Sequence, residues 1–407
     1  NHYSDYSAYS VRLFHIIFGF SSLIIVFFIS KYLFSTFLSN LVLFFLSINL
    51  FLIWISTEVR IISFVLFFYL FLILFFFQII KNIHSPKISF FEIILLSFFN
   101  LFTLSLHPFA IAIIISQLLF LFLMLVNDKG LLKKKIILYI FIITLFCFFY
   151  VLLNIDYILW RLNGDSLAHH KLSYKFFIGY NFKSFFSSYF LGFVNLFLIA
   201  LSFWKIKKNI YENLFLLYLK IILIITYLFI IFVSLTFSGI TGARYWAYLV
   251  PIIILINIFY LSNIKNKLLQ NSIIITLILV TIFVSINDYK KPQIRKPDTP
   301  GLVKFINNSD TSNIVSQNIS PFDHYLRNAY KKDLDKKIFY INEINQFNND
   351  FLFICLDLLW IPNKSTYTKE IYDCYPKNIS LKKFEKMETI KFYGYAISKF
   401  KYNKSNN

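Results

Sequence analysis

Glycine is scarce in this chain, with 9 among 407 residues. No glycine-rich phosphate loop interrupts the long apolar stretches, and no strand–helix alternation accompanies them. A bound nucleotide therefore has no recognisable seat there. Cysteine is scarcer still. Cys147, Cys355 and Cys374 are the three present, and their spacing is not that of a metal site. Charged residues make up only 15% of the chain, and no convincing internal repeat is visible. What fills the sequence instead is apolar: 58% hydrophobic and 21% aromatic, with 53 Phe. A soluble domain cannot hide that much apolar surface. Repeated runs of about 20 residues, each long enough to cross a bilayer, indicate an α-helical polytopic membrane protein.

The formal charge of +20 invites a nucleic-acid reading. The lysines are scattered, however, and the abundance of Phe, Ile, Lys and Asn with little Ala is that of a chain encoded by AT-rich DNA. No nucleic-acid partner is expected. Apolar runs fall at Val11–Ser30, Phe37–Ile55, Ile61–Ile80, Ile88–Leu106 and Phe109–Val126. Five more follow at Ile136–Ile155, Phe186–Trp204, Leu214–Phe237, Tyr245–Ser262 and Ser272–Ile286, giving about ten expected spans. Alternate connections carry the lysines: Lys31; Lys81 and Lys87; Lys129 and Lys133–Lys135; Lys205, Lys207 and Lys208; Lys265 and Lys267. The positive-inside rule makes those loops cytoplasmic, so the intervening loops, Asn1 and everything after Asn287 are expected outside the cytoplasmic membrane. The chain opens on Asn1 rather than Met, which suggests that an N-terminal segment, plausibly a first membrane helix, precedes it.

Composition changes at Asn287. Residues 1–287 read as the membrane domain, the proline-bearing 288–300 as a linker, and 301–407 as a small α/β domain outside the membrane. In that domain Leu302–Asn307 and Phe322–Tyr330 read as helices. Asn313–Gln317, Lys337–Ile341, Phe351–Leu356, Thr389–Tyr393 and Tyr395–Phe400 read as strands. Cys355 and Cys374 both fall there, in a compartment that permits a disulfide; two free buried thiols are the alternative. Between the sixth and seventh runs, Tyr157–Leu162 and Phe176–Phe186 have the aromatic content of short interfacial helices.

Nearly all residues able to do chemistry lie on the outer loops. Asp5 precedes the first span, Glu58 and Arg60 form the corner between the second and third, and His107-Pro108 tips the next hairpin. Asp165 with His169-His170 occupies the long loop, and Arg244-Tyr245 opens the ninth run. Each has a plainer reading. Glu58 and Arg60 are two apart and can pair or solvate a loop. Arg244-Tyr245 can anchor an interface, and His169-His170 lacks a third ligand at helical spacing.

Their order carries more than any one of them. An acid before the first visible span is followed by Ser56-Thr57-Glu58-Val59-Arg60, then by a hairpin tipped by Thr103-Leu104-Ser105-Leu106-His107-Pro108-Phe109-Ala110. Gly242-Ala243-Arg244-Tyr245 then precedes Pro251, and an outer domain opens Pro297-Asp298-Thr299-Pro300-Gly301-Leu302-Val303-Lys304-Phe305-Ile306. This pattern resembles the polytopic C-type glycosyltransferases, in particular bacterial relatives of protein O-mannosyltransferases and lipopolysaccharide-core sugar transferases. It departs from them at two places. Asp5 is followed by Tyr6 where the family shows a second acid, and Glu58-Val59-Arg60-Ile61-Ile62 stands where relatives read Glu-Ala-Arg-Pro-Tyr.

The resemblance implies transfer of a sugar from a polyprenyl-phosphate donor to a lipid, glycan or protein acceptor at the outer face of the inner membrane. It implies no cofactor, and without an outer carboxylate cluster no metal is expected. Asp5 is the leading general base for the acceptor hydroxyl. Arg60 and Arg244 would hold the lipid phosphate at head-group depth. Glu58, His107, Asp165 and Tyr245 are candidate substrate contacts. Direct displacement would invert the anomeric carbon. The rival readings are a polysaccharide polymerase or ligase, which commonly lacks a C-terminal α/β domain, and a transporter, which the scarcity of glycine disfavours.

Overall fold

The computed structural model describes residues 8–57, 61–82, 90–127, 132–156, 183–204, 210–236, 243–289, 299–311, 313–316, 337–340, 349–356, 384–392 and 395–403. The chain divides into two compact units, one of Arg12–Ile286 and the other of Asn1–Val11 with Asn287–Asn407.

The first unit is helical. Its elements are α1 (Ala8–Leu33), α2 (Thr36–Ser47), α3 (Leu50–Thr57), α4 (Ile62–Asn82), α5 (Phe90–Leu106) and α6 (Ala110–Asn127). They continue with α7 (Leu132–Leu153), α8 (Tyr189–Trp204), α9 (Ile210–Thr236), α10 (Leu249–Ser262) and α11 (Lys267–Tyr289). Five of these, α1, α4, α7, α9 and α11, are long and apolar enough to cross a membrane; the bent pair α2–α3 would make a sixth. The remaining apolar helices, α5, α6, α8 and α10, have described apolar segments of 17 residues or fewer. Of the roughly ten expected spans, the described residues therefore show five, or six with the bent pair, that are long and apolar enough to cross a membrane.

The surface of this unit is the reverse of a soluble protein's. Leu153, Phe283 and Phe20 are 82%, 67% and 64% exposed, whereas Tyr69, Phe76 and Trp246 are buried. An apolar exterior on this scale is stable against lipid rather than water. At the centre lies α10, buried along most of its length and packed against α2, α8 and α9. Its Pro251 sits in the first turn, where a proline removes no intrahelical hydrogen bond. The expected span from Tyr245 is corrected here. Ala243–Trp246 form a 3₁₀ turn, and the α-helix begins only at Leu249.

A second correction concerns the run Phe37–Ile55, expected as one helix. It breaks at Ile48–Asn49, and α2 and α3 meet at 63°. The cause is Asn49, whose side-chain oxygen accepts the Leu52 N–H at 3.0 Å and so caps α3. Its amide nitrogen donates to the Phe185 carbonyl at 2.8 Å, fixing the break to the segment before α8.

The other unit holds α12 (Thr299–Asn308) and a five-stranded sheet of β1 (Asn313–Ser316), β2 (Lys337–Tyr340), β3 (Phe351–Leu356), β4 (Phe384–Phe392) and β5 (Tyr395–Tyr402). The strand order is β2-β1-β3-β5-β4; β1 pairs in parallel with β2 and β3, and β5 runs antiparallel to both β3 and β4. Central β3 is a continuous apolar run whose described side chains, Phe351 through Cys355, are buried on both faces, as a covered central strand requires. Phe351 and Phe400 stack with ring centroids 4.9 Å apart. Cys355 is disulfide-bonded, Cys147 in α7 is free, and Cys374 lies outside the described residues. Two boundaries move relative to expectation. β4 begins at Phe384 rather than Thr389, and helix occupies both ends of the 288–300 linker, with α11 reaching Tyr289 and α12 starting at Thr299. The expected helices Phe322–Tyr330 and Tyr157–Leu162, and Phe176–Phe186 up to residue 182, lie outside the described residues.

Candidate functional site

Three of the seven residues picked from sequence fall among the described residues, and they meet. His107 follows the last turn of α5, where its N–H still bonds to the Thr103 carbonyl at 3.1 Å, and Pro108 starts the turn into α6. Arg244 and Tyr245 sit in the 3₁₀ turn before α10. The His107 and Tyr245 rings stack with centroids 4.9 Å apart. The Arg244 guanidinium lies 5.2 Å from the Tyr245 ring centre, a cation–π contact. Asp5, Glu58, Arg60 and Asp165, together with His169 and His170, lie outside the described residues.

The structure adds a residue that sequence reasoning missed. Tyr69, on the second turn of α4, places its hydroxyl 3.4 Å from His107 Nδ1. The Phe109 backbone N–H lies at the same distance from that nitrogen. A backbone N–H can only donate, so in that contact Nδ1 is the acceptor. Tyr69 packs edge-on against Tyr248, whose hydroxyl pairs with Thr226 of α9 at 3.0 Å. Tyr69 was missed because an aromatic inside the apolar run of α4 reads as core. No local pattern separates it from its Phe neighbours.

These side chains enclose a cleft of only about 10 Å³ lined by Ile62, Leu66, Tyr69, His107, Arg244 and Tyr248 among others. That is room for about one water, so a ligand would sit on this cluster rather than inside it. Beyond α4, and sharing Leu66 with it, runs an apolar groove of about 270 Å³ between α1, α3 and α4. Phe20, Leu23, Ile53, Leu70 and Pro251 line it, with Ser56 and Thr57 at the α3 end. The groove is made possible by Gly19. A Cβ there would lie 2.5 Å from Ser56 Cβ, so α1 and α3 approach closely only because none is present.

Another polar contact lies on the same helices. His15 of α1 hydrogen-bonds the Ser63 hydroxyl of α4 at 3.0 Å, and both are buried. His15 lies within the first apolar run, between Phe14 and Ile16, which is why sequence reading passed over it. Lys220, a buried cation in α9, has a structural account. Its ammonium donates to the Ser202 carbonyl near the C-terminus of α8 and lies 4.7 Å from the Phe203 ring centre. Among the described residues, no three His, Cys, Asp or Glu side chains gather where they could hold a metal ion. A scan against protein-family models finds no match, and a search of curated proteins finds none.

Proposed function

We propose that this protein is a membrane glycosyltransferase. It takes a sugar from a polyprenyl-phosphate donor and passes it to a lipid, glycan or protein acceptor at the outer face of the inner membrane. The observation that carries the reading is the convergence of His107, Arg244 and Tyr245 with Tyr69, separated by one helix from an apolar groove that opens toward lipid. A polyprenyl chain needs such a groove, and its phosphate needs a cation beside it. In this reading Arg244, joined by Arg60 from the corner after α3, neutralises the phosphate as it leaves. Asp5 takes the proton of the acceptor hydroxyl, and the oxygen attacks the anomeric carbon opposite the departing phosphate, inverting it. The His107 imidazole and the Tyr69 hydroxyl are polar groups able to orient the sugar; Glu58, Asp165 and Tyr245 are further contacts of the same site. A disulfide at Cys355 belongs to an oxidising compartment, which fits an extracytoplasmic C-terminal unit.

The decisive test uses the purified chain and a panel of polyprenyl-phosphate sugars, with release of the lipid phosphate as the readout. Release that falls at least tenfold in Arg244→Ala is expected; no release with any donor sinks the proposal. One observation speaks for transport instead: a helix broken at membrane depth is a feature of carriers. The break is, however, capped by its own Asn49 and held to Phe185. Neither that contact nor the described lining of the cavity beside it includes a charged side chain to bind a coupling ion.

A further inference from the structure

The groove between α1, α3 and α4 is walled on one side by a single stripe of α1. Ile16, Gly19, Leu23 and Val26 recur in it at helical spacing, over about 15 Å of helix (26 − 16 = 10 residues). No described residue of the lining is charged, and its hydroxyls are spent. Those of Ser22, Ser47, Ser56 and Thr57 donate to the carbonyls of Phe18, Phe44, Leu52 and Ile53 at 2.7–3.1 Å. The groove therefore suits a hydrocarbon chain and offers nothing to hold a head group. The next residue of the same stripe is Arg12, one turn beyond Ile16 (16 − 12 = 4 residues) toward the start of α1. It is half-buried, on the face of α1 that carries the buried His15, Gly19 and Ser22. Its Nε is buried without a hydrogen-bond partner, whereas its terminal nitrogens are not closed off in this way, and among the described residues no ion pair meets the guanidinium. A guanidinium folded onto the inner face of a membrane helix is costly until an anion meets it, and its two-pronged donor edge fits a phosphate. Helical side chains lean toward the N-terminus, so the charge is carried to the mouth of the groove rather than into its hydrocarbon part.

The geometry points to Arg12 as the anchor for the phosphate of a polyprenyl phosphate whose first isoprene units lie in the α1–α3–α4 groove. The head group is selected by charge. A cation at the mouth of a groove that lacks both charge and spare donors calls for an anion on the end of an apolar chain. A single groove takes a single chain, which selects a one-chain prenyl phosphate over a two-chain phospholipid. The inference rests on the transferase reading for the nature of that chain, and it adds a residue and a division of roles. Arg12 lies on the α1 side of α4, next to the His15–Ser63 contact, and Arg244 lies on the other side with Tyr69 and His107. Arg12 fixes the donor in its groove, whereas Arg244 meets the phosphate as it leaves. Arg12 is thus a binding residue, and Arg244 acts in transfer.

The test uses the full chain in nanodiscs with probes that carry a diazirine on the chain: a polyprenyl phosphate, the uncharged polyprenol and a phosphatidic acid. Irradiation and peptide mapping should place the polyprenyl phosphate on α1 and α3, about tenfold above the other two probes. Arg12→Gln should cut that label about tenfold, and Arg12→Lys, which keeps the charge without the two-pronged edge, should restore part of it. Ile53→Trp should abolish the label by filling the groove from its exposed rim, and it decides the matter if the Arg12 variants do not fold. Equal labelling by polyprenol or phosphatidic acid, or a label that survives Arg12→Gln or Ile53→Trp, overturns the proposal. The measurement needs no turnover and so separates the two readings. A label that obeys these rules stands even if no donor releases lipid phosphate, and release with a label indifferent to Arg12 removes Arg12 while leaving the transfer.

Discussion

Replacing Gly19 by Ala should drive α1 and α3 apart, and the size of the effect follows from one distance. The added Cβ would crowd Ser56 Oγ and meet Ser56 Cβ at 2.5 Å, where a carbon–carbon contact needs about 3.5 Å. The hydroxyl can rotate, but Cβ is fixed to the backbone, so the helices must separate by ~1 Å. Overpacking of this kind costs typically ~1–3 kcal/mol, and the backbone-anchored clash puts it near the upper end. Alanine returns ~1 kcal/mol in helix propensity, leaving a net loss of about 2 kcal/mol. Ser56→Gly alone should cost up to ~1 kcal/mol, because glycine weakens a helix. In the Gly19→Ala background the same change should stabilise, since it removes both clashing atoms. The coupling between the two positions is then roughly 3 kcal/mol, far above the few tenths expected of independent sites. Reversible unfolding of the four proteins in mixed detergent micelles measures it. Additive behaviour, with Ser56→Gly destabilising in both backgrounds, would refute the close approach of α1 and α3.

Asn49→Ala should destabilise by about 1–2 kcal/mol through loss of the α3 cap and the Phe185 tie, read as a lowered thermal midpoint. Asn49→Ser, which keeps a capping oxygen, should recover part of it. Ser187→Gly should be tolerated, because glycine adopts the positive φ without strain, whereas Ser187→Val should cost about 1–2 kcal/mol; equal midpoints would contradict the assignment. Non-reducing peptide mapping should recover Cys355 linked to Cys374 and Cys147 alkylated. Closing that 19-residue interval (374 − 355) is worth ~3 kcal/mol, so reductant should lower the unfolding temperature of the C-terminal unit. Tyr69→Phe should reduce turnover of a lipid-linked sugar without changing stability by more than about 1 kcal/mol, and unchanged turnover would remove Tyr69 from the site.

What was legible in the sequence and what was not divide along physical lines. Apolar runs announce helices because each must bury or lipid-expose a whole segment, and every expected run has a helix within it. Strand β3 was read to the residue, since a central strand buried on both faces is an uninterrupted apolar run with sharp polar ends. The α2–α3 break was not foreseen. Its determinant is a single Asn in an apolar stretch, and whether it caps or merely points inward depends on Phe185, 136 residues away. The same holds for the site. His107, Arg244 and Tyr245 were singled out by position at helix ends, and those ends do meet. Tyr69 lies inside a helix, where only the packing of other helices turns a polar atom toward a partner.

The gathering of helix ends also separates the bundle's two extremities without reference to any loop rule. Contacts between His15 and Ser63, Tyr69 and His107, Tyr69 and Tyr248, and His107 and Tyr245 bring together the starts of α1, α4, α6 and α10 and the end of α5. At the opposite extremity Tyr32 meets Gln78, the Lys81 ammonium lies over the Tyr32 ring, and Phe77 packs on Phe215. Those contacts join the ends of α1 and α4 to the start of α9. Among the described residues the first extremity holds the imidazoles, the guanidiniums of Arg12 and Arg244 and the Tyr69 hydroxyl; the second holds Lys31 and Lys81. Lysine distribution and side-chain packing are independent properties of the chain, yet they sort the helix ends into the same two groups. The transferase we propose would use this polarity, with the lysines fixing orientation at one end and the His107, Arg244 and Tyr245 side chains gathered at the other. Moving the lysines therefore offers a sharp test. Substituting Lys31 and Lys81 by Glu should weaken orientation during insertion, read by protease access to a C-terminal tag, while the proposed sugar transfer per correctly inserted molecule stays unchanged. Loss of activity per correctly oriented molecule would mean that the two ends are coupled, against this division of labour.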